Sequence, residues 1–371
     1  MNVRSATVPD CLTTRNGITS ILVAVIMTGC SILQTPPLTG DDEMVAKPEQ
    51  DPIGSRRFLL QDGQDVVGEL QTVKAKYEDT FVDIARAYGL GLDELVAANP
   101  GVDPWLPEDG DTIVLPTRFV LPEAPREGIV LNVAAKRLFH YRKTENGEQA
   151  IVETYPIGIG RSGWATPTGN TTVVSKARDP VWFVPASVRQ EHLEAGDPLP
   201  KQVPPGPDNP LGARVLGLGI PGYLIHGTNK PAGVGMRISH GCVRLFPEDI
   251  DYLYENVEIG SRVRIVNQPF LFGWQDDDLV LEAHAPLQED DREWDGNVLL
   301  HARSSLVSYT GDRTRLDEAR VLKIAKDRRG FPVSVFSGRP DTESAVRNAR
   351  QVINVVSSDN VVERIADGSA D

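Results

Sequence analysis

Residues 239–245 read SHGCVRL and contain a cysteine whose neighbours could make it a nucleophile. A thiol that attacks a carbonyl carbon needs a base to remove its proton and hydrogen-bond donors to stabilise the oxyanion. His226 lies 16 residues before Cys242, and the backbone N–H groups of Gly241 and Cys242 adjoin the nucleophile as natural oxyanion donors. The segment therefore predicts acyl chemistry on an amide or ester.

The interval between the two residues must fold back to bring the base to the thiol. Its sequence, HGTNKPAGVGMRISHGC, has room for a strand, a glycine-rich loop and a second strand. Glycines have no Cβ, so Gly227, Gly233, Gly235 and Gly241 let backbone amides approach a substrate closely.

The N-terminus indicates an exported chain. Arg4 and Arg15 precede an apolar run over residues 18–27, which is shorter than the roughly 20 residues that span a bilayer. Small residues lead from this run into Cys30, as in a bacterial lipobox, and Ser31 follows. This pattern predicts a signal peptide with lipobox over residues 1–30, lipid on Cys30 and an outer-membrane anchor facing the periplasm of a Gram-negative bacterium. The alternatives are an ordinary cleaved signal peptide and an uncleaved anchor.

Export changes the meaning of the three cysteines. Cys11 would leave with the signal peptide and Cys30 would carry lipid, so the mature chain keeps Cys242 as its free thiol. A single thiol in an exported protein has no intramolecular disulfide partner, and it is either buried and inert or reactive for a purpose.

Composition limits the function classes. The 371 residues carry a formal net charge of −14, with a middle segment, residues 125–267, of net +2. An acidic chain argues against nucleic acid as a partner, and a relatively basic middle suits a substrate with carboxylates. Zinc-ligand spacings such as C-x-x-C or H-E-x-x-H do not occur, and the sequence indicates no cofactor.

The chain divides into four parts after the signal. Residues 31–67 read as a polar, proline-rich linker. Residues 68–118 predict strand, helix, helix and strand, and they resemble a LysM module, which binds peptidoglycan or chitin glycan, in the phrases DTFVDIARAYGL, LVAANPGVD and GDTIVLP. Glu78 stands where LysM modules usually have glycine. A spacer without a ligand is the alternative.

Residues 126–267 show many short β-runs with turn signals between them, which predicts a mainly-β domain with a β-sandwich or barrel-like fold. Two helices interrupt the strands, at ASVRQEHLEA and at PEDIDYLYENV directly after the cysteine segment. Residues 271–371 begin with an acidic stretch and continue as a small α+β accessory element, with a final helix near residues 342–355.

HGT followed by SHGCVRL resembles the signature of the L,D-transpeptidases with a YkuD-type catalytic domain. The stretches PIGIGRSGWATPTG and PPGPDNPLG belong to the same resemblance, which covers residues 126–267 in order. The combination of signal, LysM-like module and catalytic domain is similar to the ErfK/YbiS/YcfS/YnhG-like subgroup, which includes enzymes that attach Braun's lipoprotein to peptidoglycan.

The resemblance implies roles for single residues. Cys242 would attack the L-centre carbonyl of diaminopimelate in a tetrapeptide stem and expel D-Ala. His226 would be the general base, Gly227 would orient it, and His240 and Gly241 would belong to the oxyanion-hole segment. Some members of the subgroup have serine in place of His240, which favours His226 as the base.

The substrate-binding residues are less specified. Arg244 and Arg237 would meet substrate carboxylates, and the alternative is an ion pair with Glu248 or Asp249. Ser239 could bind substrate, but a serine here is more typical of a structural hydrogen bond. Tyr223, Thr228 and Trp164 could line the pocket, and the alternative is that they belong to the core.

The acceptor decides the product. A second stem's diaminopimelate would give a 3→3 cross-link, a lysine of a Braun-type lipoprotein would give anchoring, and water would give an L,D-carboxypeptidase. The expected partners are therefore peptidoglycan stems and glycan, such a lipoprotein, and the membrane through the N-terminal lipid. A non-catalytic wall-binding lipoprotein is the rival from another class.

Overall fold

The computed structural model describes residues 56–144, 150–307 and 313–356. The predicted signal peptide with Cys30, the predicted linker as far as residue 55 and the end of the accessory region lie outside these ranges. Within them, no helix is long and apolar enough to cross a membrane.

Residues 56–121 form an N-terminal module of short strands and two helices. Its elements are β1 (Arg57–Leu60), β2 (Val66–Gly68), β3 (Gln71–Lys74), α1 (Phe81–Tyr88), α2 (Leu92–Ala98), β4 (Thr112–Leu115) and β5 (Arg118–Val120). Helix α1 begins with a capping box, in which the Thr80 hydroxyl accepts the Asp83 N–H and the Asp83 carboxylate accepts the Thr80 N–H. It ends at Gly89, which has a φ of 65°. The order β3, α1, α2, β4 is the order that the sequence predicts. Glu78 has a φ of 72°, in the region that favours glycine.

The middle region is mainly β, as predicted. Its elements are β6 (Gly128–Asn132), β7 (Arg137–Lys143), β8 (Ala150–Pro156), β9 (Ile159–Gly160), β10 (Gly169–Arg178), β11 (Trp182–Phe183), α3 (Ala186–Glu194), β12 (Gln202–Val203), β13 (Arg214–Leu218), β14 (Leu224–His226), β15 (Arg237–Ser239), β16 (Val243–Arg244), α4 (Pro247–Asn256) and β17 (Arg262–Val266).

One nine-stranded sheet runs through this region in the order β1-β8-β7-β6-β17-β10-β13-β14-β16. Strand β10 joins its two halves: residues 169–172 pair with β17 and residues 173–178 pair with β13, with an irregularity between Val173 and Ser175. Both halves contribute side chains to one hydrophobic cluster, which includes Leu131, Leu216 and Ile265. The predicted β-sandwich thus takes the form of one continuous sheet, because a single long strand serves both halves.

The C-terminal region starts with a β-hairpin, which the sequence does not predict because this part of the chain is rich in acidic residues. Its elements are β18 (Phe270–Gln275), β19 (Asp278–Ala283), α5 (Trp294–Ser305), α6 (Glu318–Asp327), β20 (Val333–Ser334), α7 (Thr342–Arg347) and β21 (Arg350–Val352). The helix predicted near residues 342–355 is too long. It ends at Arg347, because Arg350–Val352 leaves the helical path and pairs in parallel with β3 of the N-terminal module.

The three regions share their hydrophobic cores. Alternate residues of β6–β8 face opposite sides, so that Leu131 and Leu138 belong to the cluster of the middle region while Val130 and Phe139 pack with Phe81 and other residues of the N-terminal module. Leu70 and Val114 of the module pack in turn with the C-terminal region. Each region therefore supplies part of its neighbour's core.

The linker predicted for residues 31–67 is wrong in its described part. Strand β1 pairs with β8 over four residues, and β2 pairs with β5. Val66 and Val67 are 3% and 2% exposed, so this segment is folded into the protein. The sparse apolar content of residues 31–53 does not extend to RFLL and VVG.

Candidate active site

Two short parallel strands carry the predicted base and the cysteine segment, residues 239–245. Strands β14 and β16 pair with Ile225 opposite Val243 and His226 opposite Arg244. Cys242 directly precedes β16. Facing residues of paired strands project to the same side of a sheet, so His226 and Arg244 share a face. The fold thus returns the chain after the glycine-rich loop, as the sequence predicts.

His226 is buried, with 3% of its surface exposed. Its Nδ1 lies 2.6 Å from the carbonyl oxygen of Gly227, so Nδ1 carries the proton and donates it, and the lone pair is on Nε2. Burial and then the charge of Arg244 lower the pKa of His226 to about 3. The imidazole is therefore neutral at pH 7, and the backbone at Gly227 and Leu211 holds its orientation.

The Cys242 thiol lies against the backbone that leads into β14. Its Sγ lies 3.6 Å from the Gly222 carbonyl oxygen. Burial raises the pKa of Cys242, while the Leu224 backbone N–H and the charge of Arg244 oppose that rise. Cys242 is the free cysteine of the described residues. With a raised thiol pKa and a lowered imidazole pKa, the pair rests in its neutral form, and the proton must leave sulfur as the attack begins.

The cysteine segment is held by its own serine. The Ser239 hydroxyl donates to the Cys242 carbonyl at 2.5 Å and accepts the Gly241 N–H at 3.2 Å. The Thr166 hydroxyl donates to the Gly241 carbonyl at 2.9 Å. Ser239 thus makes structural hydrogen bonds, and the Gly241 N–H predicted for the oxyanion is engaged by Ser239. Its oxyanion role, like that of the Cys242 N–H, stays a prediction.

Gly241 is required here on steric grounds. Its φ is 103°, and a Cβ at this position would lie 2.9 Å from Cε1 of Tyr223. Tyr223 therefore contacts the segment next to Cys242, where the sequence predicts a pocket wall. The Thr228 hydroxyl accepts the Lys230 N–H at 2.9 Å and so holds the loop after the base.

His240 has different partners from His226. Its Nε2 lies 3.2 Å from Glu191 Oε2 and 3.2 Å from Arg161, and Arg161 also forms an ion pair with Glu191. The Trp164 ring packs edge-on against the imidazole, with centroids 4.9 Å apart. Burial lowers the pKa of His240, and Glu191 partly opposes this. His240 therefore connects the cysteine segment to helix α3.

The two candidate substrate-binding arginines differ. Arg237 is bound by Glu289, with both carboxylate oxygens at 2.7 Å from Nη2. Arg244 is half-buried, and within the described ranges its guanidinium has no carboxylate at ion-pair distance, while its Nε has no hydrogen-bond partner. Arg244 is therefore the better placed of the two for a substrate carboxylate.

The sequence named Glu248 and Asp249 as the alternative partners of these arginines, and this expectation is wrong. Glu248 binds Arg86, at 3.0 Å and 3.1 Å, and Asp249 binds Arg56. Both partners come from the N-terminal module, more than a hundred residues earlier in the chain.

Four residues near the site were not predicted: Arg56, Arg86, Arg161 and Glu191. Arg161 lies inside the stretch PIGIGRSGWATPTG, which could have identified it. The other three have no local pattern, because each acts across a contact between distant segments. Among the described residues, no group of three His, Cys, Asp or Glu side chains is arranged for a metal ion.

Comparison with known proteins gives one family. The model of the YkuD L,D-transpeptidase catalytic domain matches residues 126–265. A Salmonella typhimurium protein named probable L,D-transpeptidase ErfK/SrfK is 40% identical over 289 residues, which cover 76% of this chain and 91% of the relative. The Escherichia coli protein named probable L,D-transpeptidase YbiS is 39% identical, over 74% of this chain and 90% of the relative.

A solved structure of an L,D-transpeptidase from Mycobacterium smegmatis is 19% identical, with a TM-score of 0.30 over 38% of this chain and 58% of that chain. The two sequence relatives are matched over 91% and 90% of their own length, so the family assignment rests on them and not on the solved structure.

Proposed function

The chain belongs to the L,D-transpeptidase family, whose substrate is peptidoglycan, and from this premise we propose how its own residues carry the reaction. Cys242 takes up the acyl group of a tetrapeptide stem at the L-centre of diaminopimelate. The enzyme then transfers this acyl group to an amine, in a second stem or in a lipoprotein.

The observation that carries the proposal is the fixed tautomer of His226. Its Nδ1–H donates to Gly227 at 2.6 Å, which leaves Nε2 as the proton acceptor for the thiol. Sulfur bonds to the carbonyl carbon, the C–N bond to the terminal D-Ala breaks, and the thiol proton passes through His226 to the leaving amine. The acceptor amine then attacks the thioester carbon, the C–S bond breaks, and the proton that the amine loses passes through His226 to the leaving thiolate.

Arg244 supports the choice of substrate. The half-buried Arg244 guanidinium has no ion-pair partner among the described residues, and its desolvation lowers the stability of the protein unless an anion binds to it. Stem peptides carry carboxylates on diaminopimelate and on D-Ala. A stem that binds with a carboxylate at Arg244 would satisfy the guanidinium next to the nucleophile.

Acylation by a carbapenem tests the enzyme against the rival of a non-catalytic wall-binding lipoprotein. We expect mass spectrometry of the intact protein to show one adduct, on Cys242, and none on Cys242→Ala. A folded wild-type protein that gains no adduct would contradict the proposal.

Muropeptide analysis separates the acceptors. Cells that express wild type and Cys242→Ala would differ in 3→3 dimers, in peptidoglycan-bound lipoprotein, or only in the trimming of tetrapeptides. The last outcome alone would favour an L,D-carboxypeptidase.

The location and the LysM-like module belong to the same proposal. We infer lipid on Cys30 and a periplasmic site of action from the lipobox, and glycan binding from residues 68–118. Incorporation of labelled palmitate, lost in Cys30→Ala, tests the first inference. Co-sedimentation of the Cys242→Ala protein with purified sacculi tests the second, because bound protein would then not depend on acylation.

A further inference from the structure

We propose that the N-terminal module positions the cysteine segment for acylation, with Arg86 and Gly235 as positioning residues. The proposal rests on Cys242 being the nucleophile, as proposed above. It assigns the module a role in a chemical step whose reactants the module does not touch.

The first contact lies just before the cysteine segment. Gly235 and Gly91 meet backbone against backbone: a Cβ on Gly91 would lie 2.7 Å from the Gly235 Cα, and one on Gly235 would lie 2.6 Å from the Leu92 nitrogen. The Leu92 N–H at the start of α2 also points to the Val234 carbonyl at 3.4 Å. Gly235 has a φ of 85° and stands two residues before β15, so α2 fixes the path by which the chain enters the cysteine segment.

The second contact lies just after the cysteine segment. Helix α4 begins at Pro247, and its first turn presents Glu248 and Asp249. Arg86 grips Glu248 with two hydrogen bonds, at 3.0 Å and 3.1 Å, and Arg56 forms an ion pair with the buried Asp249. Arg56 also donates to the Arg86 carbonyl at 3.1 Å, so the two arginines that bind helix α4 are themselves hydrogen-bonded to each other.

Helix α4 also contacts the backbone next to His226, the proposed base. A Cβ on Gly227 would lie 3.1 Å from the Ile250 side chain, so the first turn of α4 packs directly against the backbone that accepts the His226 hydrogen bond. The module therefore fixes the chain on both sides of Cys242 and, through α4, the residue that orients the base.

A module that served only to bind glycan would need no such contacts. It would raise the local concentration of enzyme at the wall and leave the reaction with a small soluble acylating agent unchanged. A positioning element would change that reaction too, since a displacement of about 1 Å at a reacting group can cost a hundredfold in rate.

The experiment measures acylation of Cys242 by imipenem in Arg86→Ala, with Arg178→Ala as the matched control. Arg178 also binds a glutamate of α4, Glu255, at 2.8 Å and 3.1 Å, but at the far end of the helix and from outside the module. We expect the first-order acylation constant of Arg86→Ala to fall about tenfold. Its apparent affinity for imipenem, its binding to sacculi and the rate of Arg178→Ala should match wild type.

Two further variants separate positioning from folding. Arg86→Lys should recover part of the rate, because it keeps the charge that faces Glu248. Gly235→Ala should show the same loss as Arg86→Ala at a temperature where its circular dichroism shows a folded protein. Wild-type acylation constants in folded Arg86→Ala and Gly235→Ala would overturn this proposal alone, whereas absence of any adduct on wild type would overturn the proposed function.

Discussion

Burial and charge act on the Cys242 thiol in opposite directions. Burial raises the pKa of Cys242, and the Arg244 guanidinium lowers it, so the arginine that we propose for a substrate carboxylate also favours the thiolate. Once a carboxylate pairs with Arg244, this assistance to the thiolate weakens. Proton removal by His226 then becomes more important, because the substrate itself neutralises the nearby positive charge.

A stability measurement tests the neutral, buried state of His226. Folding lowers the pKa of His226 from 6.5 to about 3. Between these two pH values, the imidazole is protonated in the unfolded chain and neutral in the folded protein. The stability from this group is present above pH 6.5 and is lost as the pH falls. Between pH 6 and pH 4, wild type should lose about 1.4 kcal/mol per pH unit more than His226→Gln, by urea unfolding.

The comparison with His226→Gln removes the contribution of other titrating groups. Asp249, whose pKa burial raises to about 7, acts in the opposite sense, since the folded protein gains stability from its protonation as the pH falls. Asp249 is present in both proteins and cancels. Equal acid slopes for the two proteins would mean that His226 is not held neutral by the fold.

Among single residues, the sequence predicts a nucleophile and a base but not how they are held. The order and spacing of HGT and SHGCVRL select Cys242 and His226 as the candidates. The capture of the Gly241 N–H by the Ser239 hydroxyl could not be predicted, because it depends on the left-handed conformation of Gly241 and on side-chain rotation.

Strand β21 shows how one element can depend on a distant one. Asn354, just beyond it, donates to the Lys74 carbonyl at 2.9 Å and to the Asp79 carboxylate at 2.6 Å. Asp79 is 7% exposed, so water could not easily replace the Asn354 amide as its hydrogen-bond donor. The last described residues of the chain thus satisfy a buried acid in the N-terminal module.

We expect Asn354→Ala to lower the free energy of unfolding by about 1–3 kcal/mol, as for a hydrogen bond to a buried charged group. Its neighbour offers a control, because the Ile353 side chain is 69% exposed. Ile353→Ala should stay within about 0.5 kcal/mol of wild type. Urea titration measures both, and equal midpoints for the two variants would contradict the role given to Asn354.

Elements with a complete local signal were predicted correctly. Helix α1 has its capping box and its terminal glycine within a dozen residues, and β6 and β7 are short apolar runs on either side of a turn. The errors concern β1, the hairpin β18–β19 and the end of α7. Each of these is short, and each has a partner in another region. Strand β1 pairs with β8, the hairpin packs its Leu271 and Val280 on Val66 and Val120 of the N-terminal module, and β21 pairs with β3.

At the scale of the whole molecule, the shared cores predict that the protein unfolds as one unit. Clusters join the N-terminal module to β6–β8 and to the C-terminal region, so neither region keeps its core if the module unfolds. Calorimetry of the mature chain should show one peak, with the calorimetric and van't Hoff enthalpies in agreement. Two resolved peaks would show that the regions are independent, as the sequence alone suggested.

The pairing of β21 with β3 also sets an order of events during folding. Asn354 and Lys74, which the pairing brings together, are 280 residues apart in the chain. The helices α1 and α2 have local contacts and can form early, but the edge of β3 must wait for a strand from the other end of the chain. Contacts between such distant residues form slowly. The first region to be made is therefore among the last to be finished, and its open strand edge needs protection from other chains in the meantime.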